Sequence, residues 1–289
     1  MKTILVTGGA GFIGSHLCAR LNKEGHKVIS LDNYFTGTTE NHIDGVEYRE
    51  GHTKDIATLI PETPDLIYHL GEYSRVAKSL EEPEVVWDLN LRGTEAVLEF
   101  WRAKGSRLVY AGSSTKFAGE RSDGVDGRDL SPYTWAKAAN SELVVNYARW
   151  YELSYAIAYF YNVYGPGERA GRDNYGTVVE TFKQQYLSSN PHTVRAPGTQ
   201  TRAFTHVFDT VDALVRIADS NQNDEFGICA DEVYSLLEVA KMFGGEVEML
   251  PQTKSTRSTG AIDTTKLRAL GWKPTHTLQE YIDSITSSV

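Results

Sequence analysis

Residues 7–14 read Thr-Gly-Gly-Ala-Gly-Phe-Ile-Gly directly after the apolar run Ile4-Leu5-Val6, and this junction restricts the fold more than any other feature. A strand that runs into Gly8, Gly11 and Gly14 turns without Cβ atoms in the way. The backbone there can approach a pyrophosphate, and the following helix can pack close to the strand. The helix that follows presents free N–H groups and the positive end of its dipole to phosphate, and Phe12 and Ile13 are expected among the cofactor-binding residues. Such a glycine pattern is weak evidence alone. Asp32, however, closes the next apolar run about twenty residues on, where a carboxylate accepts hydrogen bonds from both ribose hydroxyls of an adenosine. The pair reads as a dinucleotide site, for NAD rather than NADP because a carboxylate repels a 2′-phosphate. Asn33 and Leu70, at the ends of apolar runs, are expected to join it, as are Asn90, Tyr133 and Lys137 further along the chain.

The rest of the chain agrees with a sheet covered by helices. Short apolar runs at 2–7, 27–31, 46–50, 66–70, 107–111 and 154–159 alternate with helical periodicity at 16–24, 85–104 and 133–151. Beyond about residue 165 the pattern loosens, with helices expected at 178–188, 208–220 and 235–243. The expected fold is α/β: a Rossmann-type doubly wound parallel sheet over 1–165, to which some later segments return, with a smaller irregular α/β lobe over 166–289 that binds substrate.

Composition excludes other classes. Forty per cent of the 289 residues are apolar and 23% charged, which suits a globular core. No apolar run reaches the roughly eighteen residues of a membrane span. A net charge of −9 is the wrong sign for non-specific binding to nucleic acid or an anionic membrane. Two cysteines, Cys18 and Cys229, make neither a disulfide framework nor a metal site. The short apolar stretch at the amino terminus is no signal peptide, so a reducing cytoplasm is the expected location.

Tyr133 and Lys137 stand four residues apart, on one face of a helix opened by Ser131-Pro132. A phenol titrating near ~10 is a poor base at neutral pH, but an adjacent ammonium and a positive nicotinamide ring favour the phenolate. A Tyr and a Lys at this spacing are common by chance. Following a dinucleotide loop, with Ser113-Ser114-Thr115 ending a strand about twenty residues earlier, they read as a general base with its helper and a serine that steadies the alkoxide.

These residues, with Asn90 of Asn-Leu-Arg-Gly-Thr, Tyr161-Asn162-Val163-Tyr164-Gly165-Pro166, the segment 198–209, Arg257, and 263–266 leading to Leu270-Gly271-Trp272, resemble the extended short-chain dehydrogenase/reductases. Within them, the likeness is to the NAD-dependent epimerase/dehydratase family, and it runs almost the whole chain. The resemblance implies a lobe closing over a nucleoside diphosphate sugar, with Arg202 and Arg257 on the diphosphate and Asn162 on the substrate. Either Arg taken alone would read as solvated surface charge. Asn90 is divided evenly between satisfying buried backbone groups and organising the active site. The resemblance also implies a homodimer through helices 85–104 and 133–151, with Trp87, Leu91, Val97 and Trp150 as its apolar surface, although these side chains equally suit a core.

Counted back from Gly119, Ser114 takes the family's catalytic serine position, with Ser113, Thr115 and Lys116 as substrate contacts. Thr115 and Lys116 stand where the family's 4,6-dehydratases carry Asp and Glu, which counts against dehydration. What remains is oxidation at C4, giving a nucleotide-sugar 4-epimerase of the UDP-glucose or UDP-N-acetylglucosamine type. The alternative is a 4-dehydrogenase that releases a keto sugar. A non-catalytic NAD-binding protein would need to have lost the Tyr-Lys-Ser set, which is present. Departures from the family pattern fall at His52, Ala118, Tyr159 and the polar stretch Gly71-Glu72-Tyr73-Ser74-Arg75. Lys116, Glu72 and Arg75 are expected to line an unusual sugar pocket, a surface salt bridge being the alternative.

Overall fold

The computed structural model describes residues 1–114, 127–160, 162–168, 176–252 and 262–287. Thr115, Lys116, Ala118, Gly119, Tyr161 and Arg257 lie outside them. Strands β1 (Thr3–Thr7), β2 (Lys27–Asp32), β3 (Glu47–Glu50), β4 (Leu66–His69), β5 (Arg107–Ser113) and β6 (Tyr155–Phe160) are joined by a seventh from far along the chain, β7 (Asp224–Ile228). Their order is β7-β6-β5-β4-β1-β2-β3, and every neighbouring pair is parallel. Strand order reverses between β1 and β4, so the carboxyl ends of these two strands open the crevice in which such sheets bind ligands.

β4 and β5 are buried at every position because helices cover both faces. On one face, α1 (Phe12–Lys23) packs beside Val211, Leu214 and Ile217 of a later helix. On the other, α2 (Gly93–Lys104) and α3 (Pro132–Tyr151) cover Leu5, Ile29, Ile67 and Leu108. Val97 belongs to this second core and is fully buried. It lies on the sheet side of α2, so it supplies no dimer surface. The later helix is α4 (Val207–Asp219), which together with β7 returns to the sheet from beyond residue 165.

The remaining lobe has its own core of Tyr164, Phe182, Val194, Phe204, Phe243 and Ile282. Helices Val178–Leu187, Leu236–Phe243 and Leu278–Thr286 build it, with the paired strands His192–Arg195 and Val247–Leu250.

Three boundaries differ from the sequence reading in ways that shape the site. The first helix begins at Phe12, not residue 16, because Gly11 is its N-cap and the glycine loop runs straight into its first turn. Strand β5 extends two residues further, to Ser113, because Gly112 leaves room for the Tyr159 ring, which a Cβ there would meet at 2.5 Å. The helix expected over 85–104 starts at Pro83 and widens into a π-helical stretch over Trp87–Arg92 before α2. Such bulges are frequent at functional sites, and this one holds Asn90.

Candidate active site

Gly8 turns the chain out of β1 at φ +75°, a left-handed conformation that favours glycine. A Cβ at Gly14 would lie 2.0 Å from the Gly8 carbonyl oxygen, so the first turn of α1 sits against the loop as only glycine allows. Gly11 caps α1 without a side chain. The N–H groups of Phe12, Ile13 and Gly14 therefore form the amino end of a helix that faces the loop.

Asp32, 7% exposed, accepts the Ala10 N–H at 2.9 Å and the Tyr34 N–H at 2.8 Å. Burial pushes its carboxyl above the ordinary value, against the pull of those two bonds and of His42. Each oxygen keeps lone pairs for a ribose hydroxyl, and the carboxylate borders a small cavity with Gly8, Leu31, Asn33, Gly51, Thr53 and Gly71. This cradle, glycine-built and acid-ended, fits NAD. Asn33 accepts the Phe35 N–H and shapes the turn, while the Leu70 N–H donates to the Thr7 carbonyl beside the loop. His52 accepts the Lys54 N–H at Nδ1 and sets Nε2 3.2 Å from Asp88.

The start of α3 is held by a capping box between Ser131 and Thr134, with Pro132 in its first turn. That anchors Tyr133 and Lys137 in the first two turns, facing the sheet. The Tyr133 hydroxyl donates to Ser113 Oγ at 3.3 Å, and its N–H donates to Ser79 Oγ. The hydroxyl held to the phenol is thus that of Ser113, the last residue of β5. Ser114, given the catalytic position by counting from Gly119, is the next residue, half-buried in the turn after the strand.

Lys137 is almost fully buried, donates to the Ala111 carbonyl and pairs with Glu72, its Nζ 4.4 Å from the Tyr110 ring centre. This corrects the expectation for Glu72. It lines no open pocket and makes no surface salt bridge, because its side chain points into the protein and is 3% exposed. Burial pushes its carboxyl up, but the charge of Lys137 and bonds from Lys137 and Thr94 prevail and hold it below the ordinary value. The sequence carried a signal for this that was missed: Asn140 shares a helix face with Tyr133 and Lys137, and it also donates to Glu72.

Asn90 is fully buried and clamps the backbone of Tyr73, accepting its N–H at 2.7 Å and donating to its carbonyl at 3.0 Å. Asn162 donates to the Ala203 carbonyl and Arg202 to that of Thr201, which ties both to the lobe strand Thr201–Ala203. Arg75 donates to Ser74. Tyr159 donates to Glu225 beneath Gly112. Among the described residues no cluster of His, Cys, Asp and Glu could hold a metal, and no helix is long and apolar enough to cross a membrane.

Glu168, beyond the Gly165-Pro166 turn, escaped the sequence reading. It is 5% exposed and accepts the N–H and hydroxyl of Thr177 at 2.7 and 2.9 Å. Burial outweighs these bonds and pushes its carboxyl up to about 7. With the folded value raised, its stabilising contribution is fully present below the unfolded value of 4.5 and is lost as pH rises through about 7. At 1.36 kcal/mol per unit this is about 3 kcal/mol. Glu168→Gln should flatten that fall in stability, as urea unfolding on either side of the window would show.

A family model described as the NAD dependent epimerase/dehydratase family matches residues 4–229. A putative UDP-glucose 4-epimerase of Methanocaldococcus jannaschii is 30% identical over 298 residues, covering 98% of this chain and 97% of its own. UDP-glucuronic acid decarboxylase 1 of Xenopus tropicalis is 30% identical over 297 residues, 96% of this chain and 70% of its own. The crystal structure of a Thermus thermophilus UDP-glucose 4-epimerase in complex with NAD superposes with a TM-score of 0.87 at 28% identity, covering 99% of this chain and all of that one. Glycine loop, acid-ended second strand and tyrosine–lysine helix thus occur here in a chain matched along its length: it belongs to the NAD-dependent epimerase/dehydratase family, with NAD as its cofactor.

Proposed function

We infer that this protein is a nucleotide-sugar 4-epimerase of the UDP-glucose or UDP-N-acetylglucosamine type. The observation that carries this reading is the Tyr133 phenol, hydrogen-bonded to Ser113 at the end of β5 and one helical turn from Lys137. Bound NAD supplies a reversible hydride acceptor, so that a C4 hydroxyl becomes a ketone and is reduced again on either face. Tyr133 takes the C4 hydroxyl proton and returns it. Ser113 orients the phenol, Ser114 presents its hydroxyl to the sugar oxygen, and Lys137 stands one turn along on the same helix face. Arg202 and Arg257 are assigned to the diphosphate, and Thr115, Lys116 and Asn162 to the sugar. Relatives named for UDP-glucose and UDP-glucuronic acid support a UDP-sugar.

The decarboxylase relatives favour a second reading. A ketone at C4 turns a C6 carboxylate into a β-keto acid, which loses carbon dioxide, so the same oxidation would serve a different substrate. A proton NMR time course with UDP- and GDP-sugars, UDP-glucuronic acid included, and no added cofactor decides. Conversion of a hexose to its C4 epimer supports the epimerase. A pentose formed from UDP-glucuronic acid alone replaces it with a decarboxylase, and a keto sugar formed only in proportion to enzyme replaces it with a dehydrogenase.

The reading includes a homodimer. Trp135 and Trp150 on α3 are 42% and 58% exposed, and the Trp135 ring meets that of Trp87 at 6.1 Å. Sedimentation should show a dimer, and Trp150→Glu should shift it to monomer.

A further inference from the structure

The Glu72–Lys137 pair lies one helical turn along from Tyr133, and the family resemblance assigns no role to an acid there. The backbone around Glu72 is fixed from both sides. The Gly71 N–H donates to Thr7 Oγ1 at 3.1 Å, and Tyr73 is clamped by Asn90. The side chain between them therefore turns inward.

Its Oε1 faces the Thr94 hydroxyl at 2.8 Å, the Tyr110 hydroxyl at 3.0 Å and the Asn140 amide at 2.8 Å, while Oε2 faces Lys137. The Thr94 hydroxyl has one proton, and it goes to Glu72. Burial holds the His69 pKa down at about 4, so the ring is neutral and carries one N–H. That N–H is on Nε2 and donates to Thr94 Oγ1 at 2.9 Å, which leaves Nδ1 to accept the Thr7 hydroxyl at 2.7 Å. Four donors thus converge on one carboxyl, an arrangement that suits only the ionised form.

Among the described residues, the titratable groups against the pair are His69 of β4 and Tyr110 of β5, with Tyr133 one helical turn away on α3. Burial, reinforced by Glu72, keeps Tyr110 protonated. Among the described residues Glu72 and Lys137 are therefore the charges at this point, and they sum to zero.

We propose that Glu72 is a positioning residue that clamps the Lys137 ammonium and cancels its charge, so that the pair, rather than a lone lysine, sets the pH at which Tyr133 becomes a base. The proposal rests on the reading of Tyr133 and Lys137 as the catalytic pair. Its physical consequence is that the ammonium lends Tyr133 little net field, because a carboxylate in contact with the same charge opposes it.

The test follows the ionisation of Tyr133 by ultraviolet phenolate absorbance, each protein referenced to its Tyr133→Phe counterpart, beside the pH profile of kcat/KM. In Glu72→Gln both should move to lower pH by about one unit or more, the displacement an unopposed neighbouring charge produces. In Glu72→Asp, which keeps the charge, both should stay near wild type. An unmoved or upward-moved titration in Glu72→Gln overturns the proposal. Should Glu72→Gln fail to fold, the double variant Glu72→Gln/Lys137→Met carries the test, since it too sums to zero. Its Tyr133 should titrate near the wild-type pH, and displacement upward would show that the lysine had never been cancelled. A moved absorbance with no turnover of any nucleotide sugar leaves the pairing standing and sinks the catalytic reading. Turnover with both titrations unmoved does the reverse.

Discussion

Tyr133→Phe is expected to lower kcat by about 10²–10⁴-fold, the range that a positioned proton-transfer group contributes. The loss should be in kcat rather than KM, because the phenyl ring keeps its place in the cluster of Tyr73, Val86, Leu89 and Ala136. What disappears is the hydroxyl that donates to Ser113 and that the proposed mechanism assigns to proton exchange with substrate. Binding of NAD should persist, since the glycine loop and Asp32 lie on other elements. Steady-state kinetics on the sugar identified by NMR, with bound cofactor measured by absorbance after denaturation, separate these effects. Near-normal kcat with a large rise in KM would move Tyr133 from the chemistry to substrate binding.

Lys137→Met should be the most destabilising single change in the site, at about 3–5 kcal/mol, because it strands the buried Glu72 carboxylate without its partner. The pH dependence carries a sign that a simple packing defect would not share. In the wild type the Glu72 carboxyl lies below its ordinary value, so its contribution is present above the unfolded value and is lost as pH falls through the folded one. Without Lys137, burial alone drives that carboxyl up, and the variant's deficit should shrink as the pH falls and Glu72 takes a proton. Adding Glu72→Gln to Lys137→Met should recover part of the loss, as urea titrations of the four proteins would show in a double-mutant cycle. A deficit constant with pH and no recovery in the double variant would mean that Lys137 matters only as packing.

Local patterns revealed much of this molecule. Gly8, Gly11, Gly14 and Asp32 are readable because a phosphate-binding turn needs glycine at fixed places and an acid at the next strand end. Tyr133 and Lys137 are readable because a helix places residues four apart on one face. A strand ending at 113–115 was readable, but which of its serines meets the phenol was not, since Tyr133 reaches Ser113 from another element. Glu72 eluded the reading for the same reason. Its partners come from α2, β5 and α3, at sequence distances of 22, 38, 65 and 68 residues, and no local period links them. Val97 shows the converse: an apolar residue on a helix looks the same in sequence whether it faces the sheet or a second subunit.

The most direct test follows one atom. UDP-glucose carrying deuterium at C4 is incubated with the enzyme and its bound NAD, and the product is read by proton and deuterium NMR. The expected product is UDP-galactose with deuterium still on C4 and the configuration there inverted, because the hydride taken from C4 returns to C4 from the other face. Deuterium found at C6, or left on the cofactor beside a released keto sugar, would contradict the epimerase.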